Sequence, residues 1–319
     1  MSAQHTETML RKHRCNMLRS PKERRKLLFY GLWILLPLTQ LAIFYFAVNF
    51  NSILLSFQKY AITDGRGEYV FAGFENFKNL FSNSAAFSLN GLKTMVKNTL
   101  LGFFLPEIIT FLPSIVTSYY VYKKCLFSKF FRVLLYLPTL LSVLALSIIQ
   151  YYILELGVPE IAGKFGKEME GILSNPDTAL TGLIVLQIWF GFCKGIMLYP
   201  ATMSSIPESA IESARIDGCG TWGEFRHIIL PLIYPTIAVM FISDLAGIAR
   251  VDLGTFNMYG QYTDPKLYTI GYYLYNETLK AGIGDYPHLA TFGVFLTIII
   301  VPVVLLVRYL LNRFGPSED

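Results

Sequence analysis

The 319-residue sequence is 53% hydrophobic and 15% charged, with a mean hydropathy of +0.46. Soluble domains carry roughly 25% charged residues, so an ordinary soluble fold is excluded. The net charge of +5 does not describe a nucleic-acid surface either, because Arg11, Lys12, Arg14, Arg19, Lys22, Arg24, Arg25 and Lys26 crowd one end of the chain. Basic residues flanking an apolar run set membrane orientation.

That run, residues 27–50, is long enough to cross a bilayer and lacks a small-residue cleavage site. It reads as a retained anchor after a basic tail, 1–26. Five further apolar runs follow at about 98–122, 131–154, 179–200, 229–250 and 289–312, ahead of a short tail, 315–319. The expectation is an all-α, polytopic membrane protein with six transmembrane helices, the permease domain covering 27–314. Pro106, Pro113 and Pro138 lie within these runs. Membrane helices tolerate proline where neighbours satisfy the freed carbonyls.

Six spans bring both termini to one side. The segments on that side hold more Lys and Arg than the longer ones opposite, which predicts cytoplasmic N- and C-termini in a cell membrane. Cys15, Cys125 and Cys219 then fall on the reducing side, and Cys193 lies within the fourth run. No disulfide or metal site is implied, because no pair has ligand spacing. Between the first two spans, the aromatic stretch 71–81 suits a short helix at the membrane surface or a packed loop.

Between the fourth and fifth runs, residues 204–231 read as a helix, a sharp break and a second helix. Pro207 is placed to open the first helix, and Gly218 to end it in a left-handed conformation. Thr221 with Glu224 has the spacing of a capping box for the second. Ala210 and Ala214, four apart, give a small-residue face that a foreign surface can approach closely.

Charged groups inside spans are costly and mark candidate functional positions. Asp244 and Gln187 suit either a cavity lining or interhelical packing, and Glu107, between two prolines, suits packing. With Gln150, Trp189 and Phe241, Gln187 and Asp244 make a candidate substrate pathway of amides, a carboxylate and aromatics, the groups that hold sugars. His5, His13, His227 and His288 are scattered, no catalytic constellation appears, and there is no phosphate-cradling GxxxxGK[ST] loop.

Residues 204–231 resemble the EAA loop of ABC importer permeases. Glu212, Ser213 and Ala214 stand at the motif's Glu-Ala-Ala, three residues precede Gly218, and nine more lead to Ile228, Ile229, Leu230 and Pro231. Ser213 and Cys219 depart from the usual alanines. The form Glu-x-Ala-x-Ile-Asp-Gly, with Asp217 before Gly218, is similar to that of sugar permeases. Gly73-Phe-Glu-Asn-Phe77, Lys97-Asn-Thr-Leu100, Tyr136-Leu-Pro138 and Ile188-Trp189 extend the likeness to maltose-type permeases over most of the chain.

The resemblance implies a type I (MetI-like) ABC importer permease fold in a bacterial cell membrane. It also implies a second, heterologous permease subunit, two ATPase subunits and an extracellular solute-binding protein. ATP and Mg would belong to the ATPases, and this chain would hold no cofactor and not be an enzyme. Its cargo would be a mono- or oligosaccharide, moved by alternating access; a polyol, glycerol-phosphate or an ATP-independent carrier are the alternatives. Glu212, Ser213, Ala214, Asp217 and Gly218 would couple to the ATPase, with Glu212 its ionic contact and Gly218 the hinge.

Overall fold

The computed structural model describes residues 21–63, 66–80 and 89–316. Cys15, His5, His13 and most of the basic tail lie outside the described residues, as do Phe81 and the last three residues.

Among the described residues, six helical segments are long and apolar enough to cross a membrane: Arg24–Ser56, Gly91–Tyr122, Val143–Lys164, Pro176–Ser204, Thr221–Ala246 and Tyr286–Phe314. They alternate in direction, so residues 24 and 314 share one end of the bundle, here the base; the opposite end is the crown. Inside hydrocarbon a backbone must satisfy its own hydrogen bonds, and a helix does so within one segment.

The third apolar run is divided. A helix over Ser128–Leu140 stops at Leu141, and a new one, Val143–Tyr152, begins behind Ser142, whose side chain accepts from the Ala145 N–H at 3.2 Å. Leu141 and Ser142 are extended, so the chain turns between the two helices. The third span therefore runs from Val143 to Lys164, about ten residues further along than the apolar run suggested. A serine N-cap buried in apolar sequence decided the boundary.

The second and fourth spans pack closely. A Cβ on Gly191 would meet Thr110 Oγ1 at 2.6 Å, so only glycine permits this approach. At the base, Ile115, Tyr119, Met203, Ile211, Phe225 and Ile229 form one buried cluster joining the second, fourth and fifth spans. The first span is different. Its most apolar stretch is unburied in this chain, and only Val48–Ser56, at the crown, packs on the sixth span, where Thr291 Oγ1 donates to the Ser56 carbonyl at 3.1 Å.

The crown carries an antiparallel hairpin, β1 (Gln58–Thr63) and β2 (Arg66–Phe71), pairing Tyr60 with Tyr69, then a short helix, Glu75–Asn79, within the aromatic stretch. Tyr69 donates to the Ile283 carbonyl at 2.9 Å, tying the hairpin to the segment between the last two spans. Tyr259 in that segment donates to the Leu173 carbonyl at 2.7 Å. Burial first, then the charge of Glu155, pushes its phenol up to about 12, so it stays a donor through the neutral range.

Asn98, buried near the crown end of the second span, donates its amide to the carbonyls of Lys266 (2.8 Å) and Tyr268 (2.9 Å). Asn98→Ala removes both bonds and strands two carbonyls at a site closed to water. A loss of about 1–3 kcal/mol is expected. Thermal unfolding in detergent, compared with a surface control, measures it.

Candidate functional site

The fourth span is not one helix. Its first part, Pro176–Cys193, ends on Gly191–Lys194, and a second part, Leu198–Ser204, continues toward the base. Between them Lys194 is extended and Gly195 is left-handed at φ +80°. A Cβ on Gly195 would stand 2.5 Å from the Tyr199 ring, so both backbone and packing demand glycine. Broken helices within a membrane survive where they line protein or a water-filled space.

The break lines such a space. A cavity of about 630 Å³ is bounded by the second, fourth and fifth spans. Lys194 reaches into it from the break and is held by two carboxylates: Glu107 Oε2 of the second span lies 3.3 Å away, and Asp244 Oδ2 of the fifth is in direct contact. One ammonium thus pins three spans. Each partner keeps some exposure to the cavity, 21% for Glu107, 25% for Asp244 and 41% for Lys194, so the ions are neither dry nor freely solvated. Gln187, Thr110, Thr139 and Phe190 share the wall, while Arg250 and Asp252 stand on the side toward the crown.

Of the residues the sequence offered as a substrate pathway, Gln187 and Asp244 line this cavity. Gln150 is buried elsewhere, its amide nitrogen without a hydrogen-bond partner among the described residues. Trp189 is 42% exposed and stacks on Phe190 at 5.8 Å, and Phe241 is half-buried; neither borders the cavity. Glu107 does more than pack: it both lines the space and pairs across it. Lys194 was not among the candidate residues offered by the sequence. Its signal was a lone lysine beside a glycine inside an apolar run, with two acids in other runs to answer it.

At the base, a helix over Glu208–Ile216 stands free of the bundle except along one side. Pro207 is its N-cap residue, and the Ala210 N–H reaches the Pro207 carbonyl at 3.1 Å. Gly218, at φ +81°, turns the chain away; its N–H reaches the Arg215 carbonyl and that of Cys219 the Ala214 carbonyl, at 3.0 and 2.9 Å. This paired closure is the Schellman arrangement. Ile211 is buried, with Ala210 and Ala214 half-buried beside it, so the small-residue face turns partly onto the chain's own core. Glu208, Ser209, Glu212, Ser213, Ile216 and Asp217 form the outward stripe. Ile216 is 86% exposed, and Trp222, just past the turn, 64%, an apolar pair outside the main bundle.

The capping box expected of Thr221 and Glu224 does not form. Thr221 is the first residue of its helix, Gly220 is the cap, and Glu224 is buried among cations instead. Lys123 Nζ lies 2.5 Å and Arg215 Nε 3.6 Å from its carboxylate, and Tyr119 Oη donates to it at 3.3 Å. Two cations offer a carboxylate more than one backbone N–H does.

The model of the family described as "binding-protein-dependent transport system inner membrane component" matches residues 110–317, well over half of the chain. The chain belongs to that family. It is a multi-pass membrane permease component, and the matched region contains the cavity's principal ions apart from Glu107, together with the whole surface helix. Among its relatives, it is 26% identical to the multiple sugar-binding transport system permease protein MsmF of Streptococcus mutans, over 85% of this chain and 92% of that one. Its fold is shared by a bacterial ABC transporter involved in the import of the acidic polysaccharide alginate, at TM-score 0.73 and 22% identity over 92% of this chain and 98% of that one. A second structure, the bacterial alginate ABC transporter in complex with alginate pentasaccharide-bound periplasmic protein, superposes at TM-score 0.71 and 22% identity, covering 95% and 100% of the two chains.

For this permease, Lys194→Met leaves two carboxylates facing each other with no cation. A stability loss of about 1–3 kcal/mol is expected, below that of a fully buried pair because the cavity is partly solvated. Adding Glu107→Gln and Asp244→Asn should recover the unfolding temperature. Should the triple variant unfold as early as the single one, the ion trio is not what holds the three spans.

Proposed function

We propose that this permease is one of two membrane-spanning subunits of an ATP-driven importer for a carbohydrate, working with two ATPase subunits and an extracellular solute-binding protein. The surface helix carries this reading. A nine-residue helix with one side on the bundle presents Glu212, Ser213 and the apolar Ile216 outward. An exposed apolar residue flanked by charge is suited to a cleft in another protein.

In this reading the base faces the cytoplasm of a bacterial cell, in keeping with the basic residues gathered there: Lys123, Lys124, Lys129, Arg132, Arg308 and Arg313. Closure of the ATPases on ATP draws the surface helices of the two permeases together, and each bundle rocks about its midspan cavity. Glu212 pairs with a cation of the ATPase cleft. Ala214 keeps the helix close to the bundle, and Asp217 and Gly218 form the joint.

The cargo class rests on the cavity's chemistry and on relatives named for sugars. Lys194, Glu107, Asp244, Gln187 and Thr110 offer donors and acceptors to hydroxyls, and Phe190 and Phe103 offer faces to a pyranose. The acids Glu107, Asp244 and Asp252 outnumber the bases Lys194 and Arg250, which disfavours a phosphate ester as cargo. Gln150, Trp189 and Phe241 do not border this space and have no part in the proposed pathway.

Gly218→Pro is expected to abolish uptake with normal membrane insertion, because proline cannot adopt the positive φ found there. Glu212→Lys, at an exposed position on the outward stripe, is expected to do the same by reversing the charge offered to the ATPase. Co-purification with the ATPase and uptake across a sugar panel measure both. Uptake at wild-type rates by Glu212→Lys and Gly218→Pro would remove the coupling assignment.

A further inference from the structure

Resting on the importer reading above, we infer that Glu224 is the positioning residue that carries movement of the surface helix into the second and fifth spans. The covalent route from that helix to the fifth span is soft. It passes through Gly218, in a left-handed turn, and Gly220; a Cβ on either would meet open space, so nothing stiffens the joint from outside. A lever joined through two glycines bends at the joint unless something braces it.

Glu224 is that brace. It sits in the first turn of the fifth span, with its side chain only 3% exposed. Arg215, in the last turn of the surface helix, reaches its carboxylate across the glycine joint at 3.6 Å. Lys123, one residue past the end of the second span, reaches it at 2.5 Å, and Tyr119 of that span donates at 3.3 Å. Apolar contacts at the base are non-directional and allow sliding, whereas a buried carboxylate cannot part from its cations without leaving an uncompensated charge. The surface helix, second span and fifth span therefore move as one piece.

The destination of that movement is informative. The second and fifth spans carry Glu107 and Asp244, the two carboxylates that grip Lys194 on the fourth. A displacement passed through Glu224 shifts both carboxylates together relative to Lys194. The base brace and the cavity trio are two ends of the same pair of helices.

Cys193 lines the cavity and is buried, so its thiol reports on opening. With Cys15, Cys125 and Cys219 replaced by Ser, the full complex in liposomes is trapped with Mg-ATP and vanadate and exposed to a membrane-impermeant maleimide. Trapping is expected to raise Cys193 labelling in the parent. In Glu224→Gln that rise should fall about tenfold, within the usual range of coupling between distant sites, while ATPase co-purification and ATP hydrolysis stay within about twofold. Arg215→Gln alters a largely exposed side chain and leaves Lys123 on the carboxylate, and it should lose part of the rise. Labelling equal to the parent in both variants overturns the inference. So does a parallel fall of co-purification, hydrolysis and labelling, which marks a merely structural role. If the parent itself binds no ATPase, or its labelling ignores trapping, the importer reading falls first and takes this inference with it.

Discussion

A charge placed among apolar helices must be answered where it stands, and Lys194 is answered from two sides. Its ammonium is within reach of Glu107 and Asp244, so the second, fourth and fifth spans cannot separate without exposing an unpaired ion. The break in the fourth span follows from the same need. An unbroken helix would carry Lys194 on a rigid face, whereas the extended residue before left-handed Gly195 brings its side chain into the space between the three spans. The cavity, its polar wall and the discontinuous helix are one arrangement, of the kind that places solute sites in transporters.

Such a junction resists being pulled apart but tolerates rearrangement, because each ion keeps contact with the cavity. Partly solvated ion pairs cost little to remake, unlike dry ones. The base is built differently. There a nearly inaccessible carboxylate ties the surface helix, second span and fifth span into a stiff foot, resting on an apolar cluster shared with the fourth span. Stiffness at one end and exchangeable contacts midway suit a bundle that must tilt as a body.

What the sequence disclosed depended on how local each signal was. The spans could be read because each is a long apolar run, and the surface helix because Pro207 and Gly218 punctuate it within a few residues. The third span was misplaced along the chain because Ser142 interrupts a run whose average hydropathy hides the interruption. The paired strands 58–63 and 66–71 were overlooked, although in the sequence Asp64-Gly65 between two β-prone stretches is a turn signal. Glu224 was assigned a cap by its spacing from Thr221, but Lys123 lies a hundred residues away, and only the tertiary fold brings it near. For the same reason Lys194 was invisible as a site: its partners are on other helices, and no pattern in one run announces them. Of the offered pathway residues, Gln187 and Asp244 reach the cavity and Gln150, Trp189 and Phe241 do not, because facing direction in a helix that is apolar on all sides leaves no periodic trace.

The first span holds a further lesson about biogenesis. It precedes the other five spans, and the helix it packs on, around Thr291, lies 235 residues downstream of Ser56. At the usual pace of ribosomal synthesis that interval is on the order of tens of seconds. For that time the first span lacks the sixth, and Asn76, donating to the Ser56 carbonyl from 20 residues downstream, holds only its crown end. Quality control of this permease therefore hinges on its last helix: a chain truncated before Thr291 would insert its first helix and never dock it.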